Sequence, residues 1–230
     1  MFNRQQHEYF LKKILLDIFN EPRLNSQLVF KGGTCLYLFY DLERFSVDLD
    51  FNFIGDGKFS AAILTQILEK YLILEENSFR EGHFGWLWEG SYQKGYRRLQ
   101  VDINKRQYPD HFETRQLYGL SIQTLDESSL FAHKLCAVLD RTHFKNRDLF
   151  DVHFMLDHSF EINEDIIELR TGLDLKQYLR KIEAYVENEV DGNKILQGLG
   201  ELLTDKKKNW VKAKLIDELL IQLRLKIESL

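Results

Sequence analysis

Seven residues, Val47-Asp48-Leu49-Asp50-Phe51-Asn52-Phe53, limit what this chain can become. Apolar and polar residues alternate without a break, the signature of a strand with one face in a core. Asp48 and Asp50 therefore project from one face of that strand. Two hard oxygen donors so close together suit Mg²⁺ or Mn²⁺, with substrate phosphates and water filling the other coordination positions. Metal-assisted phosphoryl or nucleotidyl transfer also wants a carboxylate from a neighbouring strand. Asp102 alternates in phase within Leu99-Gln100-Val101-Asp102-Ile103 and is the candidate, as a further metal ligand or as acceptor of the attacking hydroxyl's proton. On its own, an Asp-x-Asp pair is more often a solvated strand face.

The residues upstream change that balance. Leu28-Val29-Phe30 reads as a short buried strand running into Lys31-Gly32-Gly33-Thr34, after which Cys35 to Tyr40 is apolar and helix-compatible. Bare backbone at Gly32 and Gly33 lets a phosphate approach closely. The first free N–H groups of the helix and the Thr34 hydroxyl could hold the anion. The spacing of a P-loop is absent. Arg44 and Ser46, just before the aspartates, are candidates for further phosphate contacts. An ordinary tight turn is the bland alternative for the glycines.

Elsewhere the periodicities predict helices over His7–Phe19 and Ala61–Leu74, a turn at Gly55-Asp56-Gly57, and strands over Phe79–Trp88 and Gly95–Ile103. From about Leu125 the strand signals stop. Helical patterns continue over Leu149–Leu156, Leu175–Val186 and Val211–Ile227, with Ser128 and Ser129 as a helix start. The expected fold class is α+β: a mixed-sheet lobe over 1–123 and an all-helical lobe over 124–230, closing around a cleft.

In the helical half, Lys134, Ala137, Val138 and Arg141 fall at i, i+3, i+4 and i+7, so Lys134 and Arg141 share a face. Cations beside an apolar strip suit phosphates, or are snorkelling surface residues. Arg147 and Asp151 stand at i, i+4 and are expected to pair. Asp148 and Asp151 share a face, one to orient Lys134 or Arg141 and the other to meet substrate.

Among 230 residues the net charge is −5, which argues against non-specific coating of nucleic acid. A local basic groove is still allowed. Lys94, Arg97, Arg98, Lys105 and Arg106 lie among Tyr92, Tyr96 and Tyr108 and could hold an RNA end, or form a solvated strand face. Trp86 and Trp88 share a strand face and are expected in the core. Cys35 and Cys136, both in apolar segments, are expected as reduced core residues of a cytoplasmic protein. No apolar run reaches the length of a membrane span, and the start, MFNRQQHEYF, is not read as a signal peptide. His133, His143, His153 and His158 lack zinc spacing and are read as non-ligands.

Four motifs together, Lys31-Gly32-Gly33-Thr34-Cys35-Leu36, Arg44-Phe45-Ser46-Val47-Asp48-Leu49-Asp50-Phe51, Lys134-Leu135-Cys136-Ala137 with Arg141, and Arg147-Asp148-Leu149-Phe150-Asp151, resemble the AbiEii/AbiGii toxin family of nucleotidyltransferases. The resemblance implies a nucleotidyltransferase-like lobe followed by a helical lobe, and use of an NTP with Mg²⁺. It also implies a bacterial toxin or phage-defence protein with a cognate antitoxin. Some members add nucleotides to tRNA acceptor ends and block translation. Carried over, Gly33 and Thr34 bind phosphate, Asp48 and Asp50 bind metal, Lys134 contacts the nucleotide, and Asp148 is an essential acid. The expected activity is transfer of NMP from an NTP to a nucleic-acid 3′ hydroxyl, a tRNA end above all. The alternatives are transfer to a protein or small molecule, or a nucleotide-binding module without catalysis.

Overall fold

The computed structural model describes residues 3–95, 97–140 and 145–230. Arg141, Tyr96 and His143 lie outside them. The chain divides into two compact units. The first comprises Met1–Asp41, Phe45–Gln107 and Phe112–Leu125; the second comprises Leu42–Arg44, Tyr108–His111 and Asp126–Leu230.

The first unit is built on a mixed sheet. Its strands are β1 (Leu28–Lys31), β2 (Leu49–Phe53), β3 (Phe79–Gly82), β4 (Gly85–Gly90), β5 (Leu99–Asn104), β6 (Phe112–Leu117) and β7 (Leu120–Leu125). Their order is β3-β4-β5-β2-β1-β7-β6. β2 pairs antiparallel with β1 and parallel with β5. Helices α1 (Arg4–Asn20), α2 (Pro22–Asn25), α3 (Gly32–Phe39) and α4 (Ala61–Glu69) accompany it. Asn3 caps α1 by accepting from the Gln6 N–H at 3.1 Å. Leu11, Ile14, Leu15 and Ile18 of α1 are buried, the stripe expected of a one-sided helix.

Period two then does the sorting. One cross-strand row carries Phe30, Phe51, Ile103 and Trp86, and the next carries Leu49, Val101 and Trp88. All seven are buried. Full burial of each large side chain is worth roughly 1.5–3 kcal/mol, and together they fix the register of β2 between β1 and β5.

Two local expectations are corrected, and one hairpin is new. The segment read as one strand over Phe79–Trp88 is a hairpin, because Gly82-His83-Phe84-Gly85 turns the chain between β3 and β4. Gly85 is required there: a Cβ would sit 2.0 Å from the Ile103 carbonyl oxygen. The helix read to Leu74 ends at Glu69, and Ile73 instead bridges to Ser91. The β6–β7 hairpin was not anticipated. Its turn residues Tyr118 and Gly119 both have positive φ, 51° and 82°, as a two-residue hairpin turn demands.

The second unit is helical: α5 (Glu127–Asp140), α6 (Asn146–Asp157), α7 (Glu164–Thr171), α8 (Leu175–Glu189) and α9 (Asp205–Glu228). α5 starts one residue before the serines expected to begin it. Asp126 is the effective cap, accepting from the Ser129 N–H at 2.8 Å and the Ser128 hydroxyl at 2.9 Å. On α9, Val211, Leu215, Leu219, Leu223 and Ile227 are buried at every fourth position. Among the described residues no helix is long and apolar enough to cross a membrane. The α+β reading, a mixed sheet followed by helices, agrees with this architecture.

Gly85→Ala should destabilise the first unit by about 2 kcal/mol or more, since the new methyl must displace backbone. Urea unfolding followed by tryptophan fluorescence measures this.

Candidate functional site

The face of the sheet opposite the aromatic rows carries charge. Lys31 pairs with Asp50, Asp50 with Asp102, Asp102 with Leu87, and Leu87 with Arg80. Directly paired residues point to the same side of a sheet. Five neighbouring strands thus present one row: Lys31, Asp50, Asp102, Leu87, Arg80. Strands lie about 4.8 Å apart, so the two aspartates stand side by side.

The glycine turn is built around this row. Gly32 adopts φ 81°, and a Cβ on it would lie 2.2 Å from Asp50 Oδ2. Its bare backbone therefore makes room for the Asp50 carboxylate, a use that sequence reading assigned to a phosphate. Thr34 is fully buried, and its hydroxyl donates to the Asp48 carbonyl oxygen. That bond ties the start of α3 to the segment entering β2. The Thr34 proton is thereby committed, while the N–H groups of the first turn of α3 receive no side-chain cap from Lys31.

Asp102 keeps an accessible carboxyl at the open face. Partial burial, then the charges of Asp50 and Asp48, push its pKa up to about 6, and Lys31 opposes the shift. Desolvation is the larger part of that shift, and crowding of like charge on one sheet face adds to it.

Among the described residues no three His, Cys, Asp or Glu side chains converge closely enough to hold a metal ion by themselves. The donor set nonetheless fits a hard cation that takes only part of its shell from protein: Asp50 and Asp102 are in register, and Asp48 lies two residues before Asp50. Mg²⁺ sites that share a cation with substrate phosphates have this form, one or two carboxylates with phosphate and water completing the shell.

In the second unit, a separate ionic cluster is buried. Asp151 accepts from Arg44 Nε at 2.5 Å and from a terminal guanidinium nitrogen at 2.6 Å. Lys134 Nζ lies 2.7 Å from Asp151 and 3.8 Å from Asp148. Burial alone would raise the pKa of Asp151, but Arg44 and Lys134 beside it hold it well below the usual carboxylate range. Arg44, expected at a phosphate, is buried with its guanidinium forked onto Asp151. Asp151, expected to pair with Arg147, instead gathers Arg44 and Lys134, while Asp148 is fully buried next to the lysine. Ser46 is buried as well. No sequence signal could have joined Arg44 to Asp151, because 107 positions separate them. Arg141 lies outside the described residues.

Asp151→Asn should lower the stability of the second unit by about 3–5 kcal/mol, because it strands the buried Arg44 charge. Chemical denaturation at pH 7 reads the loss.

Among curated proteins none matches the chain. Solved structures share its fold over nearly the whole length. JHP933 from Helicobacter pylori superposes with a TM-score of 0.61 at 22% identity, covering 98% of this chain and 94% of that one. MenT4, a nucleotidyltransferase toxin from Mycobacterium tuberculosis, gives a TM-score of 0.50 at 17% identity, covering 97% and 91%. At such identities the likeness establishes the fold alone. The family model for the nucleotidyl transferase AbiEii toxin of type IV toxin–antitoxin systems matches residues 13–222, and the chain accordingly belongs to that family of nucleotidyltransferase toxins.

Proposed function

We propose that this nucleotidyltransferase moves NMP from an NTP to a nucleic-acid 3′ hydroxyl, with a tRNA end as acceptor, using Mg²⁺ or Mn²⁺; the hydroxyl oxygen bonds to the α-phosphorus as the α–β anhydride bond breaks and pyrophosphate leaves. A cognate antitoxin would restrain it. The observation that carries this reading is the register pairing of Asp50 with Asp102 on adjacent parallel strands, flanked by Lys31.

Asp48, Asp50 and Asp102 would supply the carboxylates for the cation, not as a closed triad but with substrate phosphates and water completing the shell; when bound, the cation supplies charge neutralisation for the phosphates. The remaining work falls to the chain. The uncapped N–H groups of Gly33 and Thr34 at the start of α3 would bind phosphate oxygens, helped by the positive end of the helix. Gly32 leaves space for Asp50 at that turn. Lys31 adds positive charge at the same end of the row. The alternative role for Asp102, if it stands off the cation, is to accept the attacking hydroxyl's proton, its raised pKa making it a stronger base than an ordinary carboxylate. Lys134, held by Asp151 and Asp148, would contact the nucleotide; its side chain keeps 12% of its surface open.

The test is incubation with each α-labelled NTP, divalent cation and total tRNA. Label should enter RNA, and Asp50→Asn or Asp102→Asn should each reduce the rate about 100-fold or more. The raised Asp102 pKa predicts competition between proton and cation: with Asp102 protonated below about pH 6, Mn²⁺ affinity measured by titration should weaken as pH drops through that value. Full transfer by Asp50→Asn, or no labelled RNA with any NTP, would overturn the reading.

A further inference from the structure

The charged row ends in a cavity that the reaction described above leaves unassigned. Beyond Asp102, on the side away from the glycine turn, lies a space of about 360 Å³. Its lining includes Arg80, His83, Phe84, Leu87, Asp102 and Arg106. Its size is that of a site for a small ligand or a nucleotide unit.

The chemistry of its wall is specific. Phe84, at the tip of the β3–β4 hairpin, leaves 54% of its surface exposed. The Arg106 guanidinium lies 3.8 Å from the centre of the Phe84 ring. No described carboxylate comes within ion-pair range of Arg106. Its backbone is ordered by the Asn104 side chain, which accepts from the Arg106 N–H at 2.8 Å. The tip is fastened to the end of β5, since the Phe84 carbonyl accepts from the Lys105 N–H at 2.9 Å. His83 is exposed beside Phe84, their ring centres 4.7 Å apart. Arg80 bonds Glu89 at 2.7 Å, an exposed pair of small energetic weight.

An exposed aromatic face, a guanidinium stacked on it and a second arginine nearby are the elements that bind single-stranded nucleic acid: a base stacks and its phosphates meet cations. Position decides which reactant enters. The phosphates of the NTP belong at the α3 end of the row. In-line displacement brings the attacking hydroxyl from the far side, and the far side of Asp102 is this cavity. We infer that the cavity at the β3–β4 hairpin is the acceptor subsite, seating the unpaired 3′ end of an RNA with its terminal base against Phe84 and its phosphate at Arg106. The inference rests on the nucleotidyl-transfer reading and names the acceptor's place within it.

Two measurements on the full chain separate the inference from its parent. Fluorescence anisotropy with a labelled single-stranded RNA should show Phe84→Ala and Arg106→Ala each weakening binding about tenfold, and Phe84→Tyr restoring it. NTP affinity in the presence of Mn²⁺, measured by calorimetry, should stay unchanged in all three. Phe84 and Arg106 are exposed, so these variants are expected to fold. Unaltered RNA affinity in Phe84→Ala and Arg106→Ala would overturn the subsite, even if transfer still requires Asp50. Label entering a protein acceptor at full rate in Phe84→Ala would overturn it too. RNA binding that depends on Phe84 but is followed by no transfer would sink the parent reading and, with it, the acceptor role, leaving the cavity an RNA-binding site only.

Discussion

Two aspartates standing side by side on adjacent parallel strands organise the first unit. Like charges paired directly across strands repel, so this register is electrostatically unfavourable in isolation. The opposite face of the same strands supplies what holds it. Phe51, Ile103 and Trp86 lie in one buried row and Leu49, Val101 and Trp88 in the next; a slip of one residue would turn those side chains to the open face. The register is therefore enforced by the core, and the repulsion adds to desolvation in raising the pKa of Asp102. Lys31, at the next position along the row, offsets part of the repulsion. A cation shared with substrate would offset more, which ties the site's composition to the proposed chemistry.

The second unit solves a different electrostatic problem. Arg44 and Lys134 share one buried carboxylate, Asp151, with Asp148 close to the lysine. A buried ion cluster of this kind contributes little net stability but penalises any arrangement that leaves one member alone. Its value lies in orientation: Lys134 is held at 2.7 Å from Asp151 while keeping part of its surface open. Under the proposed function Asp151 would act as a positioning residue for Lys134, with Arg44 as its counterion.

Much of the first unit was legible because its signals are local. The alternation through Val47–Phe53 places Asp48 and Asp50, and the phase of Leu99–Ile103 puts Asp102 on the corresponding face of β5. The strand–glycine–helix sequence from Leu28 to Tyr40 likewise appears as β1 and α3. What stayed hidden depends on partners far along the chain. The Thr34 hydroxyl, available to a phosphate by sequence, is taken by the Asp48 carbonyl. Gly32 looked like a phosphate contact, yet its missing Cβ is the space that Asp50 occupies. Arg44 looked like an anion ligand, yet its partner comes from α6. The hairpin tip at His83-Phe84 is flanked by Gly82 and Gly85, a turn signal that the reading of Phe79–Trp88 as one strand passes over.

The central claim is that Asp50 and Asp102 act together on one cation. Electron paramagnetic resonance of Mn²⁺, titrated with the full chain and a non-hydrolysable NTP, tests it most directly. Nucleotide and cation should bind interdependently, and Asp50→Asn and Asp102→Asn should each remove most of the bound-Mn²⁺ signal. Mn²⁺ binding that survives Asp102→Asn unchanged would contradict it.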